Sequence, residues 1–241
     1  MTNRTVALVP AAGRGLRMGG SVPKQYLAIG GLPLVVHSLR VLQASPVIDA
    51  VILAVPQTDI AYCESDIVRA HGFGKVIKVV AGGIERQDSV RLALAEVNHD
   101  TEIVLVHDAV RPFLTTEMVQ DVVAAARKTG AAIIAIPMRD TVKQVGADRV
   151  IERTVDRHPL WLAQTPQAFR YQWLKEAHDK ARLADLGATD DAYLVEWSGR
   201  PVSVVEGSGE NIKVTRPEDM IIGEAILNAR MKADRLTKGV S

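Results

Sequence analysis

Four apolar runs, Val6–Val9, Val51–Val55, Ile103–Val106 and Ile133–Ile136, carry no polar residue at all. A strand without polar alternation is buried on both faces, and such strands belong to mainly parallel sheets covered by helices on either side. The segments between the runs fit that reading. Pro33–Leu42, Ile60–Ala70, Glu85–Val97 and Met118–Lys128 space their apolar residues at helical intervals, with Met118, Val119, Val122, Val123 and Ala126 forming one stripe. Gly130 stands where a helix would end, just before the fourth run. Val76–Val80 adds a further strand, interrupted only by Lys78. The pattern predicts an α/β fold, a three-layer sandwich around a mainly parallel sheet. With 241 residues, 47% of them hydrophobic, the chain has enough apolar material for one domain spanning 1–241.

The rhythm breaks at about 138–163. Thr141–Val145 and Val150–Val155 alternate apolar and polar residues, and Gly146-Ala147-Asp148-Arg149 between them is turn chemistry. This predicts an antiparallel hairpin, an arm protruding from the main sheet. Helices then follow at Gln172–Leu186 and Asp190–Trp197, a strand at Val202–Val205, and a last helix. Thr215-Arg216-Pro217-Glu218 reads as a Thr-x-x-Glu capping box at its start.

Charge and cysteine content exclude several classes. Twenty-nine basic and 28 acidic residues leave a formal net charge of +1, which argues against bulk nucleic-acid binding. One cysteine, Cys63, precludes an internal disulfide framework. The N-terminal apolar run is four residues long and no run reaches the roughly 18–20 residues of a membrane span, so a cytoplasmic location is expected, with no membrane partner.

Chemistry concentrates after the first run. Ala11-Ala12-Gly13-Arg14-Gly15-Leu16-Arg17-Met18 is a small-residue loop in which backbone N–H groups can approach phosphates. Met18 stands where a dinucleotide fingerprint needs its third glycine, and a P-loop's Gly-Lys-Ser/Thr is missing. Pro23-Lys24-Gln25-Tyr26 follows, setting two cations, Arg17 and Lys24, beside one glycine loop. Asp108 ends the Ile103–His107 run, at the strand edge where open α/β sheets bind ligands, and a carboxylate there is a hard oxygen ligand for Mg²⁺. His107 reads as a packed residue without chemistry.

Together these blocks resemble the 2-C-methyl-D-erythritol 4-phosphate cytidylyltransferase family. The first loop with Pro23–Tyr26 is similar to its nucleotide-binding start. Four further blocks follow in order: Gly83-x-Glu85-Arg86-Gln87-Asp88-Ser89-Val90, His107–Pro112, Thr154–Arg157 and Asn211–Asp219. The resemblance covers essentially the whole chain. It implies a Rossmann-like fold, a divalent cation such as Mg²⁺ on Asp108, and a homodimer in which the hairpin crosses to a second subunit. It implies transfer of CMP from CTP to methylerythritol phosphate with release of pyrophosphate. Arg17, Lys24, Arg157 and Lys213 would act on the phosphates. Ala11, Ala12, Gly13, Gly15, Gly83, Ser89 and Ala109 would hold the nucleotide. Asp108, Arg111, Thr141, Arg157 and Thr165 would hold the acceptor. For Arg86 and Asp88 a local ion pair at the helix start competes with a role in the site. Asp191 replaces the family's usual glutamate, which would displace a side-chain contact there while sparing a helix N-cap. A ribitol 5-phosphate type of cytidylyltransferase is the competing enzyme reading, and a non-catalytic nucleotide-binding module the competing class.

Overall fold

The computed structural model describes residues 4–13 and 22–238. The first half holds β1 (Thr5–Pro10), a small ribbon of β2 (Ala28–Ile29) and β3 (Leu32–Pro33), and α1 (Leu34–Ala44). Next come β4 (Ala50–Val55), α2 (Ile60–Tyr62) running on into a π-helical Cys63–Arg69, β5 (Val76–Ala81), α3 (Arg86–Ala95) and β6 (Ile103–Val106). The second half holds α4 (Thr116–Thr129), β7 (Ala131–Pro137), the pair β8 (Val142–Val145) and β9 (Ile151–Val155), and β10 (Trp161–Arg170). It closes with α5 (Tyr171–Leu183), α6 (Asp191–Trp197), β11 (Ser203–Glu206) and α7 (Pro217–Lys238).

Seven strands form one sheet in the order β11-β7-β10-β6-β1-β4-β5, all parallel to their neighbours except β10, which is antiparallel to both β6 and β7. The expected α/β architecture is present, and its cause is visible along single strands. Ala7 and Val9 of β1 point into a core shared with α1 and α4, while Val6 and Leu8 point into a second core with α3, α5 and α6. Burying a Val or Leu side chain stabilises by roughly 1.5–3 kcal/mol. That gain is available on both faces of β1, β4 and β6, so those strands have no polar side.

Helix α4 behaves as its sequence predicts. Thr115 caps it, its hydroxyl accepting from Met118 N at 3.3 Å, and Gly130 ends it at φ +98°. A side chain at Gly130 would strike Trp173 at 2.2 Å. Two expectations are corrected. The first is at α7, which starts at Pro217. Asp219 Oδ2, not Glu218, reaches back to the N–H groups of Thr215 and Arg216, at 2.7 and 2.9 Å, so the cap lies one residue later. The second is β10, a strand the sequence does not announce. The hairpin β8–β9 is a separate two-stranded sheet, and the main sheet resumes at Trp161, inside the 138–163 segment. The β7–β10 register breaks between Ala163 and Gln167, where Pro166 has no N–H to give the ladder.

The chain steps from β1 outward to β4 and β5, then returns through α3 to β6 on the other side of β1. Connections leaving β1 and β6 therefore diverge. Such a switch point opens a crevice at the strands' carboxyl ends, in front of Pro10–Gly13 and His107–Asp108.

Candidate active site

Asp108 is the hub of that crevice. It is 5% exposed, yet its carboxylate is held from two sides: Arg86 Nε donates to Oδ1 and Lys213 Nζ to Oδ2, each at 2.7 Å. Both are short charge-assisted bonds. Burial disfavours the ionised carboxylate, but the Arg86 guanidinium and the Lys213 ammonium outweigh it and hold the Asp108 carboxyl well below the usual range. Asp108 is therefore an anion at every physiological pH. Its backbone N–H donates to Thr165 Oγ1 at 3.0 Å.

Each cation comes from a different element. Arg86 opens α3 and uses its Nη1 on Asp191 Oδ2 at 2.7 Å. Asp191 opens α6 and gives Oδ1 to His178 Nε2 at 3.0 Å. Lys213 lies in the segment before α7, which is pinned by Val214 N donating to Val110 O at 2.9 Å and by the apolar cluster of Ile29, Leu34, Val110, Phe113 and Val214. Arg111 donates from Nη1 to Asn211 O at 2.7 Å, and Asn211 Nδ2 to Thr165 O at 2.9 Å, so the loop after β6 and the segment before α7 brace each other across β10.

The glycine loops meet opposite. Gly82 approaches Ala12 so closely that an added Cβ would lie 2.3 Å from the Ala12 methyl. Gly83 N donates to Ser89 Oγ at 3.1 Å, and Ser89 Oγ donates to Glu85 O at 3.2 Å, so this hydroxyl shapes the loop itself. Lys24 follows Pro23 in a single 3-10 turn, and its chain passes over Gly13, with Cε 3.7 Å from where a Cβ would stand. Any side chain at position 13 would contact that lysine. Ala11 and Ala109 are buried at the ends of β1 and β6. Arg17 and Gly15 lie outside the described residues.

Thr141 and Arg157 are elsewhere. With Thr154, Val155 and Asp156 they line a cleft of about 370 Å³ on the hairpin, and the Arg157 guanidinium donates to the Arg139 carbonyl. Among the described residues, no hydrogen bond or ion pair joins this cleft to the Asp108 cluster.

Several side chains important to the geometry carry no local signal. The Arg86–Asp88 ion pair does not form: Asp88 lies 3.7 Å from Arg91, while Arg86 reaches residues 22 and 105 positions away. Asp191 meets Arg86 through Oδ2, and the N-cap of α6 falls to its neighbour Asp190, which accepts from Tyr193 N at 3.0 Å.

His107 is packed, as its sequence context predicts, but it also orders the site. Arg111 O can only accept, so His107 Nε2 carries the hydrogen and donates to it at 3.1 Å. In the neutral ring Nδ1 is bare and accepts from the Thr165 hydroxyl at 3.1 Å, while Thr165 Oγ1 accepts from Asp108 N–H. This relay requires a neutral ring. Burial pushes the imidazole down from 6.5 to about 4. The folded state thus refuses a proton that the unfolded chain accepts below pH 6.5, and stability declines as pH falls from 6.5 to 4. The decline from this residue is on the order of 3 kcal/mol. His107→Gln has no such titration. Urea unfolding at pH 7 and pH 4.5 is expected to show the parent losing more stability than the variant, and equal losses would contradict the assignment.

No group of three or more His, Cys, Asp or Glu side chains among the described residues is arranged to cage a metal. At the carboxyl end of β6 Asp108 offers two carboxylate oxygens, and each keeps a lone pair beyond its bond to Arg86 or Lys213. That donor set fits Mg²⁺, which takes one or two protein carboxylates and completes its octahedron with phosphate oxygens and water. No helix among the described residues is long and apolar enough to cross a membrane.

A family model described as 2-C-methyl-D-erythritol 4-phosphate cytidylyltransferase matches residues 5–229. A relative bearing that name from Syntrophus aciditrophicus is 49% identical over 227 residues, covering 94% of this chain and 97% of its own. One from Pelotomaculum thermopropionicum is 48% identical over 228 residues, covering 95% and 96%. Among solved structures, the 4-diphosphocytidyl-2C-methyl-D-erythritol synthase of Anaerococcus prevotii superposes with a TM-score of 0.81 at 31% identity, over 93% of this chain and 96% of that one. The 2-C-methyl-D-erythritol 4-phosphate cytidylyltransferase of Thermus thermophilus gives 0.76 at 35% identity, over 92% and 98%.

Proposed function

The chain belongs to the 2-C-methyl-D-erythritol 4-phosphate cytidylyltransferase family, and from that premise we propose that it joins the CMP unit of CTP to methylerythritol phosphate at the Asp108 crevice. The products are 4-diphosphocytidyl-2-C-methyl-D-erythritol and pyrophosphate. One observation carries this reading: a buried, permanently ionised Asp108 is gripped by Arg86 and Lys213 at the carboxyl end of β6, facing the loop where Lys24 crosses Gly13.

The chemistry asks little of the protein beyond positioning and charge. A phosphate oxygen of the acceptor attacks the α-phosphorus in line as pyrophosphate leaves, and negative charge gathers on the equatorial oxygens. Lys24 cradles the triphosphate, with Ala11, Ala12, Gly13 and Gly83 offering backbone at close range, and the family pattern assigns the same task to Arg17 and Gly15. Ser89 and Ala109 border the nucleoside. Lys213 and Arg111 face the acceptor, with Thr165 fixing the Asp108 backbone beside it. Asp108 would hold Mg²⁺, which when bound neutralises charge on the phosphate oxygens. Pyrophosphate release from each of four NTPs, crossed with methylerythritol phosphate and ribitol 5-phosphate and repeated with a chelator, tests the reading. Release confined to CTP with methylerythritol phosphate and abolished by the chelator supports it. A preference for ribitol 5-phosphate, or full activity under chelation, contradicts it.

Arg157 and Thr141 act through a second subunit. A two-stranded sheet is marginal alone in water, and the hairpin carries exposed Val145, Val150 and Ile151, with Trp161 and Leu162 exposed at its base. A homodimer covers that surface and delivers Arg157 and Thr141 to the neighbour's acceptor phosphate. Arg157→Ala is then expected to raise the acceptor KM and leave CTP affinity nearly unchanged. Mixing Arg157→Ala with Lys24→Ala gives heterodimers in which one site carries both lesions and the other neither. About half of an equilibrated mixture is heterodimer, so about a quarter of parental activity returns. A mixture that exchanges subunits and stays inactive contradicts the shared site.

A further inference from the structure

His178 has no assigned part in the transfer chemistry, yet it is joined to the crevice by an unbroken line of side chains. It sits on the buried face of α5 among Leu174, Ala177 and Ala181, where a polar ring costs free energy unless it is hydrogen-bonded. Its ring and the Asp191 carboxylate are both 1% exposed. A carboxylate only accepts, so Nε2 carries the hydrogen that goes to Asp191 Oδ1 at 3.0 Å, and Nδ1 has no partner. The other Asp191 oxygen takes Arg86 Nη1, and Arg86 Nε takes Asp108 Oδ1, both at 2.7 Å.

What His178 does follows from how a carboxylate prefers to meet a guanidinium. The favoured arrangement is a two-pronged pairing in which both oxygens bind one edge. Arg86 has a prong to spare, since its Nη2 is buried without a partner. With Oδ1 committed to His178, Asp191 offers Arg86 a single oxygen, and the guanidinium is left with its Nε edge toward Asp108. Released from His178, Asp191 is free to turn, bind Nη1 and Nη2 together, and draw Arg86 off Asp108.

We propose that His178 is a positioning residue for the transfer reaction: by occupying one oxygen of Asp191 it restricts Asp191 to a single bond with Arg86 and so fixes the Asp108 carboxylate. The inference rests on the transferase reading above. Removing an outer partner of a metal-binding side chain typically lowers activity about 10–100-fold. His178→Leu keeps volume and deletes the donor, and it is expected to lower kcat/KM for methylerythritol phosphate within that range. The Kd for CTP, measured by calorimetry without acceptor or divalent cation, is expected to stay nearly unchanged. His178→Gln places an amide N–H near the Nε2 position, and most of the activity is expected to return.

A double-mutant cycle separates positioning from mere packing. Asp191→Asn leaves one acceptor oxygen, which serves only one of the two partners. Adding His178→Leu to it is therefore expected to change the rate by less than about twofold. If His178→Leu does not fold, His178→Asn replaces it in the cycle, because its shorter amide stops short of Asp191. Parental turnover in the donor-deleted variant, no rescue by His178→Gln, or losses that multiply in the cycle would each overturn the inference. A parent protein that releases no pyrophosphate from CTP and acceptor defeats the transferase reading and this inference with it. An active parent with an indifferent His178 defeats the inference alone.

Discussion

Lys24→Met is expected to fold as the parent does and to turn over about 10²–10³-fold more slowly, the usual loss for one preorganised transition-state contact. The asymmetry follows from where Lys24 sits. Its backbone belongs to a three-residue turn held by Tyr26 N donating to Pro23 O at 2.9 Å, and Tyr26 OH anchors the turn on Asp59 at 3.0 Å. The lysine side chain itself lies along the open face of Gly13. Its replacement leaves those backbone and tyrosine anchors in place, so the loss of turnover is expected to exceed any loss of stability. Steady-state kinetics beside a thermal melt checks both halves. A folded variant with near-parental kcat removes Lys24 from the chemistry.

Asp108→Asn reverses that balance and strikes stability as well as activity. The substitution leaves Arg86 and Lys213 directed at a neutral amide in a buried site. Removing one partner of a buried ionic cluster typically costs about 3–5 kcal/mol. The larger part should come from Arg86, which is mostly buried, because Lys213 is partly open to solvent and screened. The sign with pH is set by the depressed carboxyl. A carboxylate held below its ordinary value of 3.8 stabilises the fold above that pH, and the contribution is lost as pH falls toward the folded-state value. Urea unfolding of parent and variant should therefore differ most at neutral pH and converge in strong acid. A variant as stable as the parent at pH 7 would mean that the two cations find other partners.

Much of this molecule is legible in the sequence because of double-sided burial. β1, β4, β6 and β7 must be apolar on both faces, and an unbroken apolar run announces that without any knowledge of neighbours. β10 is hidden for the opposite reason. Its site-proximal part is Gln164-Thr165-Pro166-Gln167, and these polar side chains are satisfied only by distant partners. Gln164 Oε1 accepts from Asn211 Nδ2 at 3.1 Å, and Gln167 Nε2 donates to Asp190 Oδ2 at 2.7 Å. Read locally, they look like a loop.

The site divides along the same line. Lys24, Asp108, Arg111 and Lys213 stand out because they belong to compact motifs or to the end of an apolar strand. Arg86 is visible, but its nearby Asp88 suggests a local pair, and only the sheet topology reveals that α3 delivers it to Asp108 instead. Asp191 and His178 sit on helices whose common meeting point at α3 has no trace in their spacing. Long-range ion pairs across diverging crossovers are a property of the fold and not of any window of sequence.

The central claim is that the α-phosphorus of CTP becomes bonded to the acceptor's phosphate oxygen, and ³¹P NMR of a complete reaction mixture tests that most directly. With CTP, Mg²⁺ and methylerythritol phosphate, two coupled diphosphate-diester resonances are expected to grow as the acceptor monoester disappears, accompanied by an equal amount of pyrophosphate. CDP with inorganic phosphate in their place, or an unchanged acceptor resonance, would contradict the account.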